Sequence, residues 1–312
     1  MTCYLISGAT GFVGTNFLLN LTSEDQYRVL SRDPANAAKR CKSLNSPAEF
    51  LGGVQWEPTV GDPPRNAFDT IDTLVNFSGE SVATGRWTES KKKRIYESRV
   101  EGTKNLTHFL LRGSHSIKTF MSCSAVGYYG FPGDAELTEL SAAGSDFLST
   151  VVQDWEAPLT ELEHTDIRVI TTRLCVPLGL DGGAFPQMVK PFKMFVGGRI
   201  GSGQQWVPWI HINDCIAART FLIADTRCSG IYNVVAPQSA TNMQLTAAIA
   251  KSLKRPAIFP MPAFILRILL GGFAEVLLES QWVVPQRLIE ASFKFTHSTI
   301  DTAVSNLLSP NQ

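Results

Sequence analysis

The sequence predicts an α/β protein built on a doubly wound parallel sheet, and three observations carry that expectation. Short apolar runs alternate with helix-length amphipathic stretches through the first part of the chain. A glycine-rich turn, Gly8-Ala9-Thr10-Gly11-Phe12-Val13-Gly14, stands directly between the first apolar run and the first helical pattern. Beyond Pro177 the texture changes: Gly and Pro become frequent, aromatic residues gather at Trp206 and Trp209, and the alternation weakens. A smaller C-terminal region, interleaved with the sheet, is therefore expected.

Strands are predicted at Cys3–Ser7, Tyr27–Ser31, Val54–Trp56, Thr73–Phe77, Thr119–Cys123 and Arg168–Leu174. Helical patterns lie at Phe12–Leu21, Glu89–Leu111 and Asp146–Glu163, and a further helix is predicted at Cys215–Ile223. A late strand, Gly230–Val235, can return to the sheet. The division expected is a sheet domain over 1–176 with a returning segment at 211–236, and a substrate-binding region over 177–210 and 237–312.

Composition narrows the partners. Twenty-eight basic residues balance 28 acidic ones, which gives no net field to recruit nucleic acid or an anionic membrane, so a small-molecule substrate is expected. The most apolar stretch, 256–278, is broken by Pro260, Pro262, Arg267, a Gly pair and Glu275; a spanning helix needs about 20 nearly uninterrupted apolar residues. Thr2–Ser7 already reads as a buried strand, leaving no room for a targeting segment before it. Six scattered cysteines without a CxxC pair read as reduced thiols of a cytoplasmic protein, and five histidines without ligand spacing predict no metal. Nothing in the sequence speaks to oligomeric state.

The glycine turn carries chemistry. Gly8 permits the sharp turn, Gly11 lets backbone approach a pyrophosphate, and Gly14 lets helix and strand pack closely. Thr10, Phe12 and Val13 complete a loop whose helix N-terminus offers N–H groups to phosphates. In strand–loop–helix context this is the fingerprint of a Rossmann dinucleotide site. The second strand ends in Ser31-Arg32-Asp33. A guanidinium beside a hydroxyl suits a 2′-phosphate, which predicts NADP (NADPH). Asp33 keeps the alternative open, because an acidic residue there can accept from the ribose hydroxyl of NAD.

These residues resemble the extended and atypical short-chain dehydrogenases/reductases. The resemblance rests on the glycine turn, Asn76-Phe77-Ser78-Gly79-Glu80, Glu97-Ser98-Arg99, Ser124 to Gly130, Trp155-Glu156, Gly182-Gly183-Ala184, Gly201-Ser202-Gly203, Trp209 to Ile212 and Val284 to Arg287. Together they resemble its "epimerase family" subgroup, which implies an NADP-dependent oxidoreductase or a sugar-nucleotide epimerase. The resemblance also implies cofactor contacts from Trp56, Asn76, Phe77, Ser78, Gly79, and from the stretch holding Arg173, Val176 and Pro177. Arg99 is expected to face a phosphate in preference to Arg94.

One part of that resemblance fails. Enzymes of this superfamily usually pair a tyrosine with a lysine four residues on, one helical turn apart, beside a serine that bonds the substrate oxygen. Ser124 stands where the serine belongs. None of the six tyrosines has a lysine four residues on, and Leu148 and Val152 stand where the pair should be. The expected replacements are Tyr128 and Tyr129, just after Ser124. His211 is read as structural, with Asn213-Asp214 as a helix cap. Lys91 to Arg94 reads as a solvated run ahead of a helix, and the loop from Gly197 to Gly203 as a turn that could serve as a lid anchored by Arg199. The function expected is NADP(H)-dependent oxidoreduction of a small carbonyl or alcohol without the Tyr–Lys pair. Sugar-nucleotide epimerisation and non-catalytic NADPH sensing are the alternatives.

Overall fold

The computed structural model describes residues 1–83, 85–113 and 115–309. The first half runs β1 (Cys3–Ser7), α1 (Phe12–Leu19), β2 (Gln26–Ser31), α2 (Pro34–Ser43), β3 (Glu49–Gln55), β4 (Thr73–Asn76), α3 (Glu89–Leu111) and β5 (Thr119–Ala125). It continues through β6 (Gly133–Leu137), α4 (Phe147–Glu156), β7 (Arg168–Leu174), β8 (Val176–Leu178) and α5 (Phe185–Lys193). Then come β9 (Trp206–Val207), β10 (Trp209–His211), α6 (Ile212–Ala224), β11 (Gly230–Val234), β12 (Ala240–Thr241) and α7 (Asn242–Leu253). The chain ends with α8 (Ala263–Leu270), α9 (Phe273–Leu278), β13 (Gln281–Val283), α10 (Gln286–Glu290) and α11 (Ile300–Leu308).

Among the described residues, seven strands form one sheet in the order β11-β7-β5-β4-β1-β2-β3, every pair parallel. This is the doubly wound Rossmann architecture. Neighbouring residues on each strand point to opposite faces, so each central strand must be apolar on both. Ile6, Val75 and Met121 pack under α1 and α6, while Leu5, Leu74 and Phe120 pack under α3. A third cluster joins Phe185 and Val189 of α5 to Leu245 of α7 and Val304 of α11, away from the sheet. The chain reverses direction across the sheet between β1 and β4, which both pair within it, and a crevice opens at the carboxyl ends there.

Local sequence explains where expectation and structure part. The third strand starts earlier than its apolar end suggests, because Gly52 and Gly53 hide its pattern; Trp56 lies just beyond it. The helix expected over Asp146–Glu163 stops at Glu156, where Pro158 cannot donate and Ala157–Leu162 tightens into a 3₁₀ turn. Helix α2 escaped notice because only two of its residues, Ala37 and Cys41, are buried. No helix among the described residues is long and apolar enough to cross a membrane.

Candidate functional site

The glycine loop sits at the reversal point. Gly8 has φ +75°, and a Cβ there would lie 2.6 Å from the Phe77 carbonyl carbon. A Cβ on Gly14 would come within 2.4 Å of the Gly8 carbonyl oxygen, so α1 packs on the loop only because that atom is missing. Gly11 N–H donates to Gly8 O at 3.0 Å, and no side chain caps the first turn of α1. The uncapped turn opens on a cleft of about 520 Å³. Gly8, Thr10, Gly11, Ser31, Arg32, Trp56, Phe77, Ser78 and Gly79 line it, together with Glu80 and Arg94.

The end of β2 separates its two candidates. Asp33 caps α2, accepting from Asn36 N–H at 3.0 Å, and is not among the cleft-lining residues. Arg32 is exposed on the cleft wall and has no ion pair among the described residues. Trp56 is buried, and its indole N–H donates to Gly61 O at 2.8 Å, which locks the ring at the wall.

Several residues expected to contact a cofactor also hold the scaffold together. Asn76 is buried; its Oδ1 accepts from the Ser78 hydroxyl at 2.6 Å and its Nδ2 donates to Thr103 Oγ1 at 3.3 Å, so it builds the turn while Ser78 lines the cleft. Arg99 donates to Glu80 O at 2.9 Å and lies against Gly79 and the Trp155 ring, underneath the wall. Arg94, five residues earlier and on another face of the helix, is the arginine of α3 that lines the cleft. The basic run is not fully solvated either: Lys91 is buried, its Nζ 2.7 Å from Glu80 Oε1, and that bond holds the Glu80 carboxyl below its usual pKa. The Phe12 ring fills a seat made by glycines, since Cβ atoms on Gly179, Gly182 and Gly183 would lie within 3.0 Å of it. Phe12, Val13, Val176 and Pro177 are not among the cleft-lining residues, and Val176 and Pro177 instead pair with β10 as part of β8.

Where proton chemistry was expected, the structure holds a buried polar network. Ser124 is 2% exposed and its hydroxyl donates to Glu156 Oε1. Arg173, inside β7, grips Glu156 through Nε (2.8 Å) and Nη2 (2.7 Å). Burial works against the Arg173 charge, but the two Glu156 bonds keep its pKa above the ordinary value. Its Nη1 donates to the Tyr129 hydroxyl at 3.0 Å, and that hydroxyl donates to Asn233 Oδ1 at 2.7 Å. Tyr129 is thus buried with its hydroxyl bonded to Arg173 and Asn233, and burial raises its pKa, a placement that favours a structural part. Arg173 likewise spends its guanidinium inside the fold. Tyr128 differs: it is half-buried, its ring lies 3.4 Å under the Arg173 guanidinium, and its hydroxyl makes no hydrogen bond among the described residues. Leu148 and Val152 face the same loop, 3.4 and 3.8 Å from where a Gly127 Cβ would be.

Glu156 and Asn233 escaped the sequence reading as functional neighbours. A legible signal existed for Glu156: an acid at the end of a largely apolar helix and an arginine in the interior of a strand must each find a partner when buried. His211 is itself the cap of α6. Its Nδ1 accepts from Asn213 N–H and its Nε2 faces Asn306 Oδ1, each at 3.1 Å, while Asp214 accepts from the backbone N–H groups of Thr296 and His297. Burial and the neighbouring His297 ring, its centroid 3.9 Å away, lower the His211 pKa to about 4. The loop at Gly197 to Gly203 is tied down by Ile200 N–H on Asn242 and Gly201 N–H on Met261, and Arg199 bonds Ser202 O within it.

The chain is similar to known proteins over almost its whole length. It is 33% identical to an epimerase family protein of Mycobacterium leprae, covering 96% of this chain and 94% of that one. The epimerase family protein YfhF of Bacillus subtilis is also 33% identical, with 97% of each chain covered. The crystal structure of a human epimerase family protein with NADPH superposes with a TM-score of 0.87 at 30% identity, over 99% of this chain and all (100%) of the other. A UDP-glucuronic acid 4-epimerase from Bacillus cereus, at 15% identity and a TM-score of 0.75 over 98% of this chain and 96% of that one, shares the fold. A domain of unknown function matches residues 261–307. The NAD dependent epimerase/dehydratase family matches residues 4–235, and with the glycine loop at the reversal point of a Rossmann sheet, the chain belongs to that family.

Proposed function

We propose that this protein is an NADP(H)-dependent oxidoreductase of a small carbonyl or alcohol substrate that works without a Tyr–Lys pair. The observation that carries the reading is the Arg32 guanidinium on the cleft wall, without an ion pair among the described residues, while the competing Asp33 carboxylate is spent on α2. The NADPH named for the human relative supports the same preference. The cradle fits the group: the missing Cβ atoms of Gly8 and Gly14 bring backbone together, and the uncapped first turn of α1 can receive phosphates. When bound, the nicotinamide supplies or accepts the hydride.

The chain's own residues would then divide the work. Thr10, Gly11 and the first turn of α1 hold the pyrophosphate, Ser31 and Arg32 hold the 2′-phosphate, and Trp56 and Ser78 bound the riboses and adenine. Leu148 and Val152 pack on Gly127 and can move no proton. The Tyr128 hydroxyl, the uncommitted phenol of the loop, donates a proton to the substrate oxygen in reduction and takes it back in oxidation. Ser124 is buried with its proton turned to Glu156, so it would have no proton to give a substrate oxygen. Epimerisation through transient oxidation would need a base where Leu148 and Val152 stand. The test is loss of NADPH absorbance with a panel of aldehydes, ketones and enones. Turnover of at least one is expected; tight NADPH binding with no turnover on any would contradict the enzymatic reading in favour of a sensor.

A further inference from the structure

We propose that the face formed by the turn at 194–196, the segment 258–261 and α8 docks on an anionic lipid surface. The apolar side chains there stand out of the fold: Phe195 is 51% exposed, Ile258 69%, Phe264 64% and Ile268 66%. They belong to one surface. Phe259 N–H donates to Gly197 O at 3.2 Å, Met261 N–H donates to Arg199 O at 2.8 Å, and the Arg255 guanidinium lies 4.0 Å from the Phe195 ring. Phe264 and Ile268 then lie one helical turn apart along α8, and Met261 stands just before its start. A contiguous exposed apolar patch marks an interaction site.

Charge selects the occupant. Lys193, Arg199, Lys254 and Arg255 rim the patch, all exposed. The sequence has no acidic residue between Asp181 and Asp214, and none between Asp225 and Glu275. Glu275 itself is paired with Arg267 at 3.0 Å. The zero net charge of the whole chain hides this local excess, which is why composition argued against a membrane. A second copy meeting this face symmetrically would set the cations of the two rims against one another. A lipid surface instead takes protruding apolar side chains into the headgroup boundary and meets the cations with phosphates. Contact is peripheral, since α8 has only 8 residues.

The experiment is flotation of the full chain with vesicles of phosphatidylcholine alone or mixed with phosphatidylglycerol. Binding to the mixed vesicles only, released by salt, is expected. Lys254→Glu with Arg255→Glu should weaken it by roughly tenfold or more, from about 1 kcal/mol per cation. Phe195→Ser with Ile258→Ser should weaken it independently, with native circular dichroism in both variants. No flotation of the wild type with mixed vesicles overturns the proposal. So does flotation that neither pair of substitutions reduces, or a concentration-dependent dimer that the Phe195→Ser and Ile258→Ser pair abolishes without any lipid binding.

Discussion

Glu156 and Arg173 meet through two nearly parallel hydrogen bonds, at 2.8 and 2.7 Å, where the end of α4 crosses the end of β7. The pair decides what its neighbours can do. It takes the Ser124 proton on one side and aims Arg173 at both tyrosines on the other. Ser124 and Tyr129, both expected at the reacting centre, are here held in a fixed buried network.

Breaking that pair leaves a buried charge without a partner. Glu156→Leu should cost about 3–5 kcal/mol of stability, read as a shift of the urea midpoint. Glu156→Leu combined with Arg173→Met should recover much of the loss, because apolar pairs of similar volume replace buried ion pairs well. Additive losses in the double variant would mean that the two residues are not coupled.

The two tyrosines should separate cleanly. Tyr129→Phe leaves Arg173 Nη1 and Asn233 Oδ1 short of a partner and should cost about 1–3 kcal/mol of stability. Tyr128→Phe should leave the urea midpoint nearly unchanged but lower turnover by roughly 10²–10⁴, with NADPH affinity intact. Undiminished turnover in Tyr128→Phe would remove it as the proton donor.

At the glycine loop, position decides the cost. Gly14→Ala sets a methyl 2.4 Å from the rigid Gly8 carbonyl and should cost at least about 2 kcal/mol, with loss of cofactor binding. Gly11→Ala meets the same oxygen at 3.3 Å and should fold, so its defect should appear in cofactor affinity alone. Equal thermal midpoints for the two would contradict the packing of α1 described above.

His211 makes stability depend on pH. Its folded pKa, about 4, lies below the ordinary value of 6.5, so the unfolded chain binds the extra proton between the two. The neutral ring's contribution is complete above about pH 6.5 and is lost as pH falls toward 4, by on the order of 2–3 kcal/mol. In His211→Asn, which keeps a capping side chain, that part of the pH dependence should disappear. An unchanged profile between pH 7 and 4 would assign the acid sensitivity elsewhere.

The sheet and cofactor cradle were legible because their signals are local. Gly8, Gly11 and Gly14 report their geometry through the absence of a side chain, and Ile6, Val75 and Met121 report burial through strand periodicity. The misplaced residues are those whose partners are remote in sequence. Asn233 lies 104 residues from Tyr129, and the bond between them is what removes that tyrosine from the cleft. The sequence favoured Arg99 over Arg94 for a phosphate; the roll of α3 against Gly79 and Trp155 sends Arg94 to the cleft and Arg99 beneath it. Small strands such as β8 and β10 carry too few residues to show a period, and they exist by pairing with each other.

The central claim is that Arg32 makes this cleft an NADP(H) site, and calorimetric titration of NADPH and NADH into wild type and Arg32→Ala tests it most directly. Wild type should prefer NADPH, and the variant should lose at least about tenfold in NADPH affinity, from roughly 1.5–3 kcal/mol for a charge-assisted bond, while NADH affinity barely changes. Equal loss for both cofactors, or a wild type that prefers NADH, would contradict the account.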